Sequence, residues 1–193
     1  MRLIVPAAAL LATTLLAGGC GSSSSKNATT TAPKVLPQAA SADEWASRVV
    51  NKVLRPLNKD LVVVSNFNTP TVRIYIASKN QQTLDVINKR LGDLAQCSRK
   101  LEVIGPPPPG SAKLDQINNH LKKACGYYEN VANKLLTATD LLSSGSKDDA
   151  TKGDEAIQEV RQPSSNAARE LTAGVRIAQG IAAFRRAGLQ PSV

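Results

Sequence analysis

LDQINNHLKKACGYYENVANKLLTATDLL, residues 114–142, decides the fold. Its apolar positions are Leu114, Ile117, Leu121, Ala124, Tyr128, Val131, Leu135, Ala138 and Leu142, and they alternate steps of three and four. An α-helix completes a turn in 3.6 residues, so this spacing places them all on one stripe, whereas a strand would need a period of two. The seam runs without a break. It predicts one long helix that packs against neighbouring helices in a shallow left-handed supercoil.

Working outward, the segment Gly105-Pro106-Pro107-Pro108-Pro109-Gly110 precedes that helix. Four prolines cannot continue a helix, and they predict a stiff connection rising ~3.1 Å per residue. Before it, Leu84, Ile87, Leu91, Leu94, Ser98 and Leu101 repeat the three-four step, with Thr69-Pro70 as a start signal. Farther upstream, Ser41-Ala42-Asp43-Glu44 reads as a capping box. It opens a helix whose stripe is Trp45, Val49, Val53, Leu57, Leu61 and Val64, with a kink expected at Pro56. On the other side, Ile157, Val160, Ala167, Leu171, Ala178 and Ile181 predict a last helix with Pro163 inside it and a face of small residues. Between the last two helices, residues 147–155 read as a solvated loop rich in charge.

One rival concerns residues 61–76. Leu61-Val62-Val63-Val64 and Thr71-Val72-Arg73-Ile74-Tyr75-Ile76 are rich in β-branched residues and could form a hairpin. An isolated two-stranded ribbon is marginal and no third strand is visible, so a helical turn is preferred. The expected architecture is all-α, an up-and-down four-helix bundle.

The front of the chain has a different character. Met1-Arg2 is followed by the apolar run Leu3 to Ala17, which is shorter than the roughly twenty residues a spanning helix needs. The stretch Leu15-Leu16-Ala17-Gly18-Gly19-Cys20 resembles the lipobox of bacterial lipoproteins, and the resemblance covers the first twenty residues. It implies a signal peptide over residues 1–19, a diacylglyceryl group on the Cys20 thiol, and attachment to a membrane facing outside the cytoplasm. Paired acyl chains, each buried CH₂ contributing ~0.8 kcal/mol, make a stable anchor. Residues 20–40, rich in Ser, Thr, Pro and Ala, then read as a flexible tether, and residues 41–193 as the helical domain.

With Cys20 given to lipid, Cys97 and Cys125 remain. An oxidising compartment and an even remainder of two predict a Cys97–Cys125 disulfide. Helical rise puts Cys125 about 21 Å beyond Ser111 but Cys97 only about 10 Å before Ile104, so the prolines must run on along the second helix to level the two.

The net charge of +9 favours anionic neighbours: lipid headgroups, wall polymers or an acidic envelope protein. Nucleic acid does not suit an exported chain, and 3% aromatic content leaves no platform for stacking bases. Arg48, Lys52, Arg55 and Lys59 follow steps of four, three and four, which would align them on one helix face as an anionic-surface contact.

Chemistry is sparse. His120 is the only histidine; it sits in Asn118-Asn119-His120-Leu121 and reads as a half-exposed structural residue. No Glu-x-x-His pair of a di-iron bundle is present, and Met1 is the only methionine, so no metal or cofactor is expected. Asp148, Gly153 and Glu159 fall at calcium-loop positions, but Ala150 and Lys152 occupy two that need oxygen. These features point to a non-enzymatic, lipid-anchored interaction module. The alternatives are a carrier or sensor holding a small apolar ligand between helices, and an enzyme of unfamiliar type.

Overall fold

The computed structural model describes residues 34–67 and 69–190. The expected signal peptide, Cys20 and most of the expected tether lie outside them. The fold is all-helical: helix is the regular structure of the described residues, with no strand among them. In chain order the helices are α1 (Ala42–Val49), a π turn (Val50–Leu54), α2 (Arg55–Asn66), α3 (Pro70–Ala77), α4 (Gln81–Leu94), α5 (Cys97–Val103), α6 (Ala112–Ser144), α7 (Lys147–Glu159), α8 (Arg161–Gln179) and α9 (Ala182–Arg186).

Helix α6 is the spine. Its 33 residues span about 50 Å. Ser111 starts it, accepting from the Leu114 N–H, and Gly145 stops it at φ +87°. Eight of the nine seam residues are buried; Leu142, in the last turn, is half-buried. Three apolar clusters follow one another along this stripe. Leu114, Ile117 and Leu121 pack with Trp45, Val49, Ile104 and Phe184 at one end. Ala124, Cys125, Tyr128 and Ala132 meet Leu57, Leu94, Cys97 and Ala167 in the middle. Val131, Leu135 and Ala138 meet Phe67, Ile76, Ile87 and Ile157 at the far end.

The other expected helices are interrupted, each for a local reason. Pro56 has no N–H to give and its ring crowds the carbonyl four residues back. The chain answers with the π turn just before it, in which the Arg55 N–H reaches the Val50 carbonyl. A π turn holds about one extra residue, rotating everything after it by roughly 100°. Beyond it Leu57 is buried as the stripe expected, and one turn on Asp60 is buried while Leu61 is half-buried. Residues 61–66 and 70–76 are helical, as preferred over the hairpin, with Thr69 capping α3. The second expected helix breaks at Lys79, which sits at φ +55°, and Asn80 caps α4 through Thr83 N–H at 3.0 Å. It breaks again at Gln96, and the Ser98 N–H in the first turn of α5 donates to Glu129 of α6 at 2.7 Å.

Two expectations need correction. Residues 147–155 are not a loop but most of α7: Ser146 caps it, Asp148 and Asp149 occupy its first turn, and Gly153 and Ile157 are buried. An acidic first turn behind a capping serine favours a helix start, and one glycine does not outweigh it. The last expected helix is two helices. Pro163 falls in the first turn of α8, where no intrahelical N–H is required.

The segment expected to be tether up to residue 40 is bonded to the body at its end. The Leu36 N–H donates to Val103 O at 2.8 Å, the Ala39 N–H to Pro106 O at 3.4 Å, and Gln38 Nε2 to Pro107 O at 2.9 Å. A proline run offers carbonyl acceptors but no donors, and residues 36–39 supply them. The folded body thus starts before Ser41.

Candidate functional site

The basic row divides when placed in space. Arg48 Nη1 donates to Pro37 O at 2.7 Å and Ile104 O at 2.8 Å, and Nη2 pairs with Glu44. Its side chain is only 13% exposed, so it fastens the docked segment and the end of α5 instead of meeting a ligand. Beyond it the π turn splits the remaining three. Lys52 lines a groove with Gln96, Arg99, Lys100 and Val103. Arg55 and Lys59 line another, against Gly188 and Leu189. The single cationic face expected from steps of four, three and four is therefore two faces, because that spacing assumed an unbroken α-helix.

The Lys52 groove has a volume of about 370 Å³ and opens to solvent. Helix α1 delivers Lys52 through the π turn, and α5 delivers Arg99, Lys100 and Val103 from consecutive turns. Lys52 and Arg99 are exposed and have no hydrogen-bond or ionic partner among the described residues. Lys100 is committed elsewhere: its Nζ donates to Asp93 O at 2.7 Å and lies 3.6 Å from Asp60 Oδ2. The groove thus carries two unpaired cations beside an apolar wall, a combination that suits an anionic group with an apolar portion.

Beneath it lies a charge cluster absent from the sequence reading. Asp60 is 2% exposed, with Arg90 Nη1 at 3.2 Å and Lys100 Nζ at 3.6 Å. Two cations compensate a carboxylate that burial would otherwise penalise. The space between Asp60, Asp93, Cys97 and Lys100 has no room for a water. A carboxylate three residues after Leu57 and four before Val64, on the buried side of an apolar stripe, is the signal that could have revealed it.

Cys97, in the first turn of α5, is disulfide-bonded to Cys125 at the middle of α6, with Cα atoms 5.0 Å apart. The bond staples α5 to the spine directly behind the groove. Cys20 lies outside the described residues.

His120 is partly buried, and its Nδ1 is 2.8 Å from Glu170 Oε2 on α8. That hydrogen bond holds the Glu170 carboxyl below its ordinary pKa, aided by the charge of Lys123. One turn along α8, Gly174 lets the two helices close: a Cβ there would sit 3.1 Å from His120 Cβ. The pair joins α6 to α8. Among the described residues no cluster of His, Cys, Asp and Glu could hold a metal ion, and no helix is long and apolar enough to cross a membrane.

No protein-family model, no curated protein and no solved structure matches this chain.

Proposed function

We propose that this protein is a lipid-anchored, non-enzymatic envelope module that holds a helical body at the outer face of a membrane and offers its far tip to a protein partner. The observation that carries this reading is the opposition of two ends. The chain joins the body at Leu36, beside Val103, where the first apolar cluster begins. Helix α3 sits at the other end, with Ile76 packed on the cluster of Val131, Leu135 and Ala138. Leu114 and Ala138 are 24 residues apart on α6, or about 36 Å.

On α3, Ile74 and Tyr75 are 65% and 45% exposed, next to each other in an eight-residue helix. Apolar side chains presented together are what an interface uses. The helix is held in place, not loose: Arg73 pairs with Asp154 of α7, and Lys79 Nζ reaches Ser144 O at 3.5 Å. An up-and-down four-helix arrangement, with α6 as its longest member, is part of the same reading. It would separate tether and tip by the length of the spine.

Anchor and tip are tested separately in cells. Cys20→Ser should move the protein out of the membrane fraction. A photocrosslinking residue at Ile74 or Tyr75 should capture a recurrent protein, while one at Lys122 on α6 should not. Retention of Cys20→Ser in the membrane would sink the anchor, and equal capture from Lys122 would sink the tip.

A further inference from the structure

We propose that the groove between Lys52 and Arg99 binds the anionic headgroup of a phospholipid in the membrane to which the chain is tethered. The inference rests on the anchored reading above and adds a second, specific contact with the same membrane.

Three observations converge. The first is the chemistry of the groove. Lys52 and Arg99 are exposed cations without a partner among the described residues, on two different helices, with Val103 as an apolar wall between groove and core. An ammonium and a planar guanidinium converging on one open space suit a phosphate oxygen set, and the guanidinium can bind it in bidentate fashion.

The second is position. Val103, which lines the groove, is the residue whose carbonyl takes the Leu36 N–H at 2.8 Å. The chain therefore joins the body at the groove, sixteen residues after Cys20. Along the chain, this corner is the first part of the body reached from Cys20.

The third is what flanks the corner. Lys34 is exposed, and Val35, just before the docked Leu36, is 58% exposed. A bare apolar side chain beside cations is the composition of an interfacial contact, in which the apolar group enters the acyl boundary and the charges stay with the headgroups. A free phosphate would account for the cations but leave Val35 and the tether position unexplained. A lipid accounts for all three.

The test uses the chain from residue 20 onward carrying Cys20→Ser, so that neither the apolar run of residues 3–17 nor acylation contributes, and vesicles of phosphatidylglycerol mixed into phosphatidylcholine. The protein should cosediment with these vesicles and not with phosphatidylcholine alone. A cation near an anionic surface contributes about fivefold in binding, so Lys52→Gln with Arg99→Gln should weaken it by roughly 25-fold. Lys89→Gln with Lys147→Gln, an equal charge change remote from the groove, should weaken it less than about threefold, as screened long-range attraction allows. All four side chains are exposed, so folding is not at stake.

Equal losses from the two pairs would overturn the site and leave only general charge attraction. Displacement by millimolar inorganic phosphate would assign the groove to a soluble anion instead of a lipid. Absence of vesicle binding would remove the proposal altogether. None of these outcomes touches the anchor, which is read in cells from the acyl mass on Cys20 of the unaltered protein.

Discussion

The Arg48 guanidinium lies 2.8 Å from the carbonyl oxygen of Ile104, and the same nitrogen is 2.7 Å from that of Pro37. One side chain thus closes the carbonyl end of α5 and the segment that crosses it. Glu44 completes the clasp: it pairs with Arg48 and accepts the Ala40 N–H at 2.9 Å. That backbone hydrogen bond, with the guanidinium second, holds the Glu44 carboxyl below its usual pKa. Charge-assisted hydrogen bonds of this kind contribute roughly 2 kcal/mol, so Arg48→Ala should lower the unfolding free energy measured in urea by that amount. Arg55→Ala, on the exposed side of the π turn, should change it by less than about 0.5 kcal/mol. If the two variants unfold alike, the clasp is not what holds residues 36–39.

Gly105 makes the same corner possible. Its φ is +76°, and a Cβ would lie 2.7 Å from the carbonyl oxygens of Leu36 and Pro37. Gly110 has φ +87° with nothing within 4 Å of such a Cβ. Gly110→Ala should therefore cost only the left-handed strain, about 1–2 kcal/mol. Gly105→Ala should cost more and should also free the Leu36 N–H to exchange with solvent. Matching losses and an unchanged exchange rate at Leu36 would remove the steric argument.

The staple offers a larger effect. The loop closed between Cys97 and Cys125 spans 28 residues, and the chain-entropy treatment gives about 3.6 kcal/mol for it. Reduced protein should unfold at correspondingly lower denaturant, and mass mapping without reductant should recover the two cysteines joined. Two freely alkylated thiols would contradict the pairing.

Asp60 tests whether its cluster serves stability. Replacing a buried ion pair by an apolar residue is often neutral, whereas stranding one charge costs about 3–5 kcal/mol. Asp60→Leu should leave the midpoint nearly unchanged, since Arg90 and Lys100 are 39% and 29% exposed and can rehydrate. Arg90→Met with Lys100→Met should destabilise strongly. A strong loss from Asp60→Leu would mean that the carboxylate holds α2 to α4 by itself.

How much of this was legible beforehand depended on whether a local rule acted alone. The α6 seam was readable because nothing interrupts it, and the cysteine pairing because only two thiols remained. The basic row failed because Pro56 acts backwards: it alters the turn before it, and a residue count cannot register the extra residue of a π turn. Asp60 stood on the stripe, three residues after Leu57, and was passed over because a carboxylate does not register in an apolar pattern. The docking of residues 36–39 was hidden because its partners are backbone carbonyls, those of Val103, Pro106 and Pro107, and such acceptors leave no side-chain pattern. The Lys52–Arg99 groove joins residues 47 positions apart on helices that only tertiary packing brings together.

The His120–Glu170 pair gives a pH dependence whose sign follows from its geometry. The hydrogen bond from His120 lowers the Glu170 pKa in the folded protein. Folding is then linked to the ionised carboxylate: the contribution is complete above the unfolded value near 4.5 and disappears as pH falls through the lower folded value. Glu170→Gln keeps an acceptor for His120 but has no charge to lose, so it should be less stable than the parent at neutral pH. The gap should narrow once pH drops below the ordinary carboxylate range, and close in acid. Glu44 is shifted in the same direction, so the parent will keep some acid sensitivity in the Glu170→Gln background, and Glu44→Gln should remove that part. Urea midpoints for the parent and both variants across that range decide it. A constant gap between the parent and Glu170→Gln would mean that the link between α6 and α8 depends on shape at Gly174 and not on the ionised carboxylate.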